Sequence, residues 1–132
     1  MKRPEGMIGI RHIALFIKDL DLAIDFYTRV MGMIVEWQPD PDNIYLTNNG
    51  DIFALHRCEY DAQPLQRLDH IGFVLKTHAD VDAWYAYLVE NKIKITEAPK
   101  THRDGSHGFY CLDPVGHLLE IIYHPPIAKL SS

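Results

Sequence analysis

The chain has 132 residues, of which 47% are hydrophobic and 23% charged, and its formal net charge is −5. This size fits one compact domain with a sizeable core. No Lys/Arg run suggests nucleic-acid binding, and no apolar stretch approaches the roughly 20 residues that span a bilayer. The two cysteines make no disulfide framework, and the polar segment before Ile8 is too short for a secretion signal. We expect a soluble cytoplasmic domain that binds neither nucleic acid nor a membrane.

The first half of the chain has the pattern of a βαβββ module over residues 8–58. The apolar, β-branched run Ile10–Ile17 predicts a buried strand. The segment Lys18-Asp19-Leu20-Asp21 offers the N-cap of a following helix that ends at Gly32. A turn is predicted at Pro39–Asn43, because its two prolines are expected to exclude regular pairing. Asn48-Asn49-Gly50 is typical of a hairpin. The other strands are predicted at Met33–Trp37, Ile44–Thr47 and Ile52–Arg57.

The second half repeats this order over residues 68–124. Asp80 is expected to cap its helix, and Asn91 to end it. Asp113-Pro114-Val115-Gly116 predicts the last hairpin turn, and Pro125-Pro126 ends the last strand, leaving residues 125–132 as a C-terminal arm. The strands are predicted at Asp69–Lys76, Ile93–Thr96, Phe109–Leu112 and His117–Tyr123.

The two halves also share sequence. Residues 12–18 read His-Ile-Ala-Leu-Phe-Ile-Lys and residues 70–76 read His-Ile-Gly-Phe-Val-Leu-Lys, an offset of 58 (70 − 12). The hairpin glycines Gly50 and Gly116 are offset by 66 (116 − 50), so the second half holds 8 extra residues (66 − 58). We place this insertion in Glu97–Gly108. Because His12 and His70 begin equivalent apolar strands, the repeat suggests a site to which both halves contribute.

Two tandem βαβββ modules resemble the vicinal oxygen chelate superfamily, which includes glyoxalase I, fosfomycin-modifying enzymes, bleomycin resistance proteins and type I extradiol dioxygenases. The resemblance covers about residues 8–124. It implies the α+β glyoxalase/bleomycin resistance/dihydroxybiphenyl dioxygenase fold, in which the two modules of a single domain (1–132) curl their sheets into a half-barrel cleft. In that family the metal ligands come from the first and last strands of the modules.

The ligand pattern of the family maps onto His12, His70 and Glu120. Glu120 lies between Leu119 and Ile121, where an unpaired buried carboxylate would be costly. Two imidazoles and one carboxylate are typical of non-haem Fe(II) sites, so Fe(II) is favoured as the cofactor, with Mn(II), Zn(II) and Ni(II) as alternatives. The competing interpretation is two hydrogen-bonded core histidines and a glutamate paired with an arginine or lysine.

The repeat also shows what the first half lacks. With the hairpin glycines aligned, Glu120 falls on Ala54, whereas glyoxalase I uses a glutamate from each half. Three protein ligands are therefore expected, which counts against a glyoxalase I assignment. His56 lies two residues after Ala54 and so on the same strand face. It is either a fourth ligand or an acid/base group.

Three spacings between candidate residues resemble those of the extradiol dioxygenases. His56 precedes His70 by 14 residues, Tyr110 precedes Glu120 by 10, and His102 precedes Tyr110 by 8. The resemblance implies catalytic roles for all three: His56 moves the substrate proton, Tyr110 hydrogen-bonds the substrate oxygen, and His102 orients the substrate. A histidine suits proton transfer because its unperturbed pKa lies near neutrality.

The preferred interpretation is therefore a divalent-metal-dependent extradiol-type dioxygenase that cleaves a catechol-like diol. The alternatives are a glyoxalase-like lyase or isomerase, a fosfomycin-type thiol transferase, and a non-catalytic drug-binding protein of the bleomycin-resistance kind. The expected partner is a small molecule that chelates the metal through oxygens. Family members often dimerise, so a homodimer is a possible assembly.

Overall fold

The structure, a computed structural model, describes residues 2–4, 6, 10–59 and 68–125. The chain divides into two compact units, Met1–Pro64 and Leu65–Ser132, and each unit carries one four-stranded sheet. The α+β class and the two βαβββ modules are thereby confirmed, while the single domain and the half-barrel cleft stay predictions. Apart from Pro125, the predicted arm 125–132 lies outside the described residues. None of the helices described is long and apolar enough to cross a membrane.

The first unit builds its sheet in the order β1-β4-β3-β2. β1 runs parallel to β4, and the other pairs are antiparallel. Within the segment predicted to cap the helix, Asp19 is the N-cap and accepts a hydrogen bond from Leu22 N at 3.4 Å. The helix continues into one π-helical turn, Phe26–Val30, and Gly32 then adopts a φ of 78°, a conformation that favours glycine. The elements are β1 (His12–Ile17), α1 (Leu20–Asp25), β2 (Ile34–Asp40), β3 (Asn43–Thr47) and β4 (Ile52–Arg57).

Burial alternates along β1 and so separates the two faces of this sheet. Leu15 and Ile17 are buried, and on the same side the fully buried Tyr27 packs edge-on against Phe53 at 4.8 Å between ring centroids. The opposite face of β1 presents exposed side chains, including Phe16 at 59% exposure. One face therefore forms the core of the unit under its helix, and the other face bears the candidate functional residues.

The second unit repeats the order as β5-β8-β7-β6, again with the first and last strands parallel. The predicted cap of its helix was wrong by three residues. Thr77 is the N-cap, because its extended backbone lets the hydroxyl accept a hydrogen bond from Asp80 N at 3.0 Å. Asn91 ends the helix as predicted. The elements are β5 (Ile71–Leu75), α2 (His78–Glu90), β6 (Ile95–Thr101), β7 (His107–Leu112) and β8 (Leu118–Tyr123).

Two strands continue through prolines, beyond the ends that the sequence predicted at Trp37 and Thr96. β2 continues through Pro39 to Asp40, and β6 continues through Pro99 to Thr101. In both units the ladder is irregular around the proline, so the missing N–H is not needed for pairing. The predicted turn at Pro39–Asn43 thus shrinks to residues 41–42, and the predicted loop Glu97–Gly108 is largely a hairpin.

The strand registers confirm the repeat. Ala54 pairs with Ala14 in the first unit, and Glu120 pairs with Gly72 in the second, which reproduces the offsets of 58 (72 − 14) and 66 (120 − 54). The 8 extra residues are not all in one place, however. The offset is already 60 at Trp37 and Glu97 (97 − 37) and 65 at Tyr45 and Tyr110 (110 − 45), which are equivalent paired positions. Five of the 8 extra residues (65 − 60) lie between Lys100 and Gly108, in the β6–β7 hairpin.

Candidate metal and proton-transfer site

Three of the predicted site residues come together in the second unit. His70 Nε2 lies 3.4 Å from Glu120 Oε1, and the ring of Tyr110 stands edge-on to His70 at 5.6 Å between centroids. Tyr110 and Glu120 face each other across the antiparallel pair β7–β8. Asp69, which the sequence interpretation did not single out, lies behind the imidazole with Oδ2 2.5 Å from His70 Nδ1.

The hydrogen bonds in this cluster define the role of each group. The Tyr110 hydroxyl donates to the Glu120 carboxylate, and this bond, followed by burial, raises the pKa of Tyr110 to about 12. Tyr110 is therefore a protonated donor at neutral pH. The Asp69 carboxylate accepts from Nδ1–H of His70, so a neutral imidazole would carry its lone pair on Nε2, the atom that faces Glu120.

This donor set fits a divalent cation. An imidazole lone pair and a carboxylate oxygen that face each other at 3.4 Å repel unless a proton or a cation lies between them. Two ligand atoms about 2.1 Å from one ion at a tetrahedral angle are about 3.4 Å apart. A carboxylate on the far nitrogen of a metal-ligating histidine is also the usual supporting contact. The side chains of His70 and Glu120 are 34% and 17% exposed, so solvent reaches both.

The third predicted ligand lies in the first unit. His12 begins β1, is exposed, and pairs in register with Ile52. Among the described residues, no group of three or more His, Cys, Asp or Glu side chains is assembled to hold a metal ion. The described structure therefore brings together two of the three predicted ligands.

His56 lies on the exposed sheet face of the first unit, as its alternation with Ala54 predicted. Its Nδ1 lies 2.6 Å from Asn43 Oδ1, and Asn43 Nδ2 donates to both carboxylate oxygens of Asp40 at 2.9 and 3.1 Å. The rings of Phe16 and Tyr45 flank the imidazole at 6.1 and 5.9 Å. The chain Asp40–Asn43–His56 is a relay of side chains that sequence reasoning missed.

The two units carry different side chains at equivalent positions of their strand ladders. Where the second unit has Glu120, the first has Ala54. Where the first unit pairs Asn43 with His56, the second pairs Gly108 with Ile122. At these equivalent positions the second unit therefore carries a carboxylate beside His70 and Tyr110, and the first unit carries a hydrogen-bonded histidine.

His102 does not join Tyr110. It lies in the turn after β6, where its backbone N–H donates to Ser106 O at 2.8 Å. Thr101, the residue before His102, pairs with His107. Tyr110 is three residues further along β7, so the backbone of Tyr110 is roughly 10 Å from that of His107 at the rise of a strand. The second unit therefore does not bring His102 to Tyr110 and Glu120.

The chain matches a family model described as the Glyoxalase/Bleomycin resistance protein/Dioxygenase superfamily over residues 9–121. It is 28% identical to the metallothiol transferase FosB of Staphylococcus epidermidis, covering 86% of this chain and 81% of that protein. It is 29% identical to a 2-epi-5-epi-valiolone epimerase of an Actinomyces species, covering 91% and 81%.

Solved structures agree in fold. The chain superposes on a lactoylglutathione lyase from Agrobacterium tumefaciens with a TM-score of 0.76 and 22% identity, covering 90% of this chain and 96% of the other. A glyoxalase/bleomycin resistance protein/dioxygenase from Alicyclobacillus acidocaldarius gives a TM-score of 0.69 at 25% identity, covering 89% and 92%. With its ladder registers and the family match over residues 9–121, the chain belongs to the glyoxalase/bleomycin resistance protein/dioxygenase superfamily, which is the vicinal oxygen chelate superfamily.

Proposed function

We propose that the protein is a divalent-metal-dependent enzyme that acts on a small substrate chelating the metal through oxygens. The observation that carries this proposal is the cluster of His70, Glu120 and Tyr110 with Asp69 behind the imidazole. We propose His12 as the third ligand, because the repeat makes it the counterpart of His70. The name of one relative, a metallothiol transferase, supports metal dependence.

In this proposal His12, His70 and Glu120 would hold the metal, which would supply Lewis-acid polarisation of a substrate oxygen. Tyr110, which stays protonated at neutral pH, donates a hydrogen bond to a substrate oxygen at the metal. His56 accepts a proton from the substrate and returns it. His102 is kept as a candidate for orienting the substrate, with the β6–β7 turn as its position.

The reaction that these residues support best is an isomerisation or epimerisation at the carbon next to a carbonyl group. Isomerisation needs one base that takes the proton and returns it to the neighbouring atom, whereas epimerisation also needs a proton donor such as water on the opposite face. Both use a hydrogen-bond donor and a Lewis acid, and neither consumes a further reagent. The relative named as an epimerase supports this choice over ring cleavage. His102, one of the two histidines that carried the dioxygenase resemblance, is not brought to Tyr110 within its unit.

Two other reactions remain candidates on specific observations. Thiol transfer is supported by the relatives named FosB. Extradiol ring cleavage of a catechol-like diol, with Fe(II), is supported by the spacing of His56 and Tyr110 from the proposed ligands. In both, His56 would again act on a substrate proton.

The first experiment is elemental analysis of protein purified without oxygen, followed by titration with Mn(II), Fe(II), Zn(II) and Ni(II). One bound metal per chain that is lost in His70→Ala and Glu120→Gln is expected. The metal-loaded protein is then assayed for deuterium uptake from D₂O into α-hydroxy ketones, for catechol cleavage under oxygen, and for thiol addition to fosfomycin. A wild-type protein that binds none of these metals would leave a binding module and overturn the proposal.

A further inference from the structure

We infer that Asn43 and Asp40 are positioning residues that hold the imidazole of His56 in its Nδ1–H tautomer, which makes Nε2 the basic atom. The role of His56 in turnover rests on the proposed function. The tautomer itself does not, because it follows from hydrogen bonds within the first unit.

The strand ladders place the three residues in line. Asp40 is the register partner of Asn43 in the pair β2–β3, and Asn43 is the register partner of His56 in the pair β3–β4. Directly opposed residues in antiparallel strands point to the same face with their Cβ atoms about 5 Å apart. Contact between the three side chains is therefore a consequence of register.

The carboxylate of Asp40 determines the orientation of the Asn43 amide. A carboxylate only accepts hydrogen bonds, so the group 2.9 and 3.1 Å from its two oxygens is the amide NH₂. The amide oxygen must then face His56. If the amide were flipped, three acceptor oxygens would be brought together.

The orientation of the amide in turn determines the tautomer. Asn43 Oδ1 only accepts, and at 2.6 Å from His56 Nδ1 it requires a proton on Nδ1. A neutral imidazole carries a single ring proton, so Nε2 keeps its lone pair. Among the described residues no hydrogen bond is made to that nitrogen, and the rings of Phe16 and Tyr45 limit rotation of the imidazole.

The relay is anchored at its far end. Asp40 Oδ1 accepts a second hydrogen bond from Asp42 N at 2.8 Å, and Asp42 forms an ion pair with Arg57 at 2.9 Å. Arg57 N also donates to Asp42 O at 2.8 Å. The two-residue turn is thus attached to β4, the strand that carries His56. This attachment holds the Asp40 carboxylate at a constant position relative to the His56 imidazole.

The consequence for the proposed reaction is that the correct ring nitrogen is ready before the substrate arrives. A histidine held in the wrong tautomer presents N–H where a base is needed, and it must rearrange before it can accept a proton. Asn43 prevents this by favouring one of the two neutral forms.

The test uses NMR of the metal-free, substrate-free protein. Long-range ¹H–¹⁵N correlations of the histidine rings distinguish the two tautomers, and the His56 signals are assigned by their loss in His56→Ala. We expect the Nδ1–H form in wild type, and a shift toward the Nε2–H form in Asn43→Ala. Asn49→Ala, in the exposed β3–β4 hairpin, should leave the His56 signals unchanged.

A double variant that exchanges the two positioning residues distinguishes a loss of histidine positioning from a loss of folding. In the double variant Asp40→Asn/Asn43→Asp, the new amide at position 40 donates to a carboxylate at position 43, which again accepts from Nδ1–H. This variant should restore the wild-type tautomer. Wild-type His56 in the Nε2–H form, or no change of tautomer in a folded Asn43→Ala, would overturn the inference.

Activity provides the second measurement. If the proposed function is right, Asn43→Ala lowers kcat by at least about tenfold while KM and metal content stay near wild type, and the swapped pair recovers most of the loss. An unchanged kcat in Asn43→Ala, with the tautomer shifted, would overturn the role of His56 as the base. If NMR finds the expected tautomer but the protein binds no metal, the proposed function is refuted and the inference about the tautomer stands.

Discussion

At the scale of single residues, a carboxylate behind His70 decides which ring nitrogen is presented to Glu120. Asp69 accepts from Nδ1–H, so Nε2 is the nitrogen that faces Glu120 and would offer its lone pair to a cation. Asp69 and His70 are in contact because they are neighbours in the chain, and their contact does not depend on tertiary packing. A sequence-based search for carboxylates next to the predicted metal histidines would have found Asp69, whereas nothing local marked Asn43 as the partner of His56.

Asp69→Asn is expected to weaken metal binding by about tenfold, because an amide supports the imidazole less well than a carboxylate. The effect should lie at the low end of what such contacts usually contribute, since the Asp69 side chain is 89% exposed. Calorimetric titration with Mn(II) measures it. Asp80→Asn, an exposed aspartate in the first turn of α2, is the matched control and should bind as wild type.

Cys111 is expected to be unreactive in the folded protein. It is fully buried in β7, and burial, followed by the nearby Asp113 carboxylate, raises the pKa of its thiol to about 12. At pH 8 the thiol is therefore neutral as well as shielded. In a Cys58→Ser variant, alkylation by iodoacetamide at pH 8 should be at least about 100-fold slower than in denaturant. Equal rates would show that β7 is accessible in the native state.

At the scale of elements, the start of α2 depends on one hydroxyl group. Thr77→Ala removes the acceptor for Asp80 N and should lower the free energy of unfolding by about 1 kcal/mol. Urea unfolding followed by circular dichroism measures the change. Thr77→Ser keeps the hydroxyl and should stay within a few tenths of a kcal/mol. Equal losses in the two variants would mean that the cap contributes nothing.

The strand glycines of the second unit provide a matched pair. A Cβ at Gly108 would lie 2.8 Å from Ile121 O and 3.2 Å from Ile122 Cβ, whereas a Cβ at Gly72 would meet nothing within 4 Å. Gly108→Ala should therefore cost about 1–3 kcal/mol, because backbone must move to make room. Gly72→Ala should be neutral or slightly stabilising. Urea denaturation tests both, and a neutral Gly108→Ala would contradict the close approach of β7 and β8.

At the scale of the whole molecule, the duplication places different side chains at equivalent positions of two similar ladders. Ala54 takes the place of Glu120, and Ile122 takes the place of His56. The proposed function needs residues from both units: His12 and His56 from the first, and His70, Tyr110 and Glu120 from the second.

Metal binding tests whether the first unit supplies a ligand. At a metal concentration 100 times the Kd, a bound ion should stabilise the wild-type protein by about 2.7 kcal/mol. Thermal unfolding with and without Mn(II) should show this shift in wild type and in His102→Ala, and should show none in His12→Ala or His70→Ala. If His12→Ala keeps the full shift while His70→Ala loses it, His12 is not a ligand.

The sequence by itself determined the repeat and the βαβββ order, because hydrophobic periodicity is a local property of the chain. The candidate residues His70, Tyr110 and Glu120 followed from the resemblance to the family. The sequence also predicted a helix cap within residues 18–21 and the helix end at Gly32. It misplaced the end of β2 at Pro39, because whether a proline interrupts a strand depends on the ladder position that it occupies. Only the tertiary structure decided that the pair Asp40 and Asn43, which meet across a short turn, extends to His56, since Asn43 and His56 meet through the register of β3 and β4. The same holds for the hydrogen bond from Tyr110 to Glu120, whose effect on the pKa of Tyr110 depends on the distance between two strands.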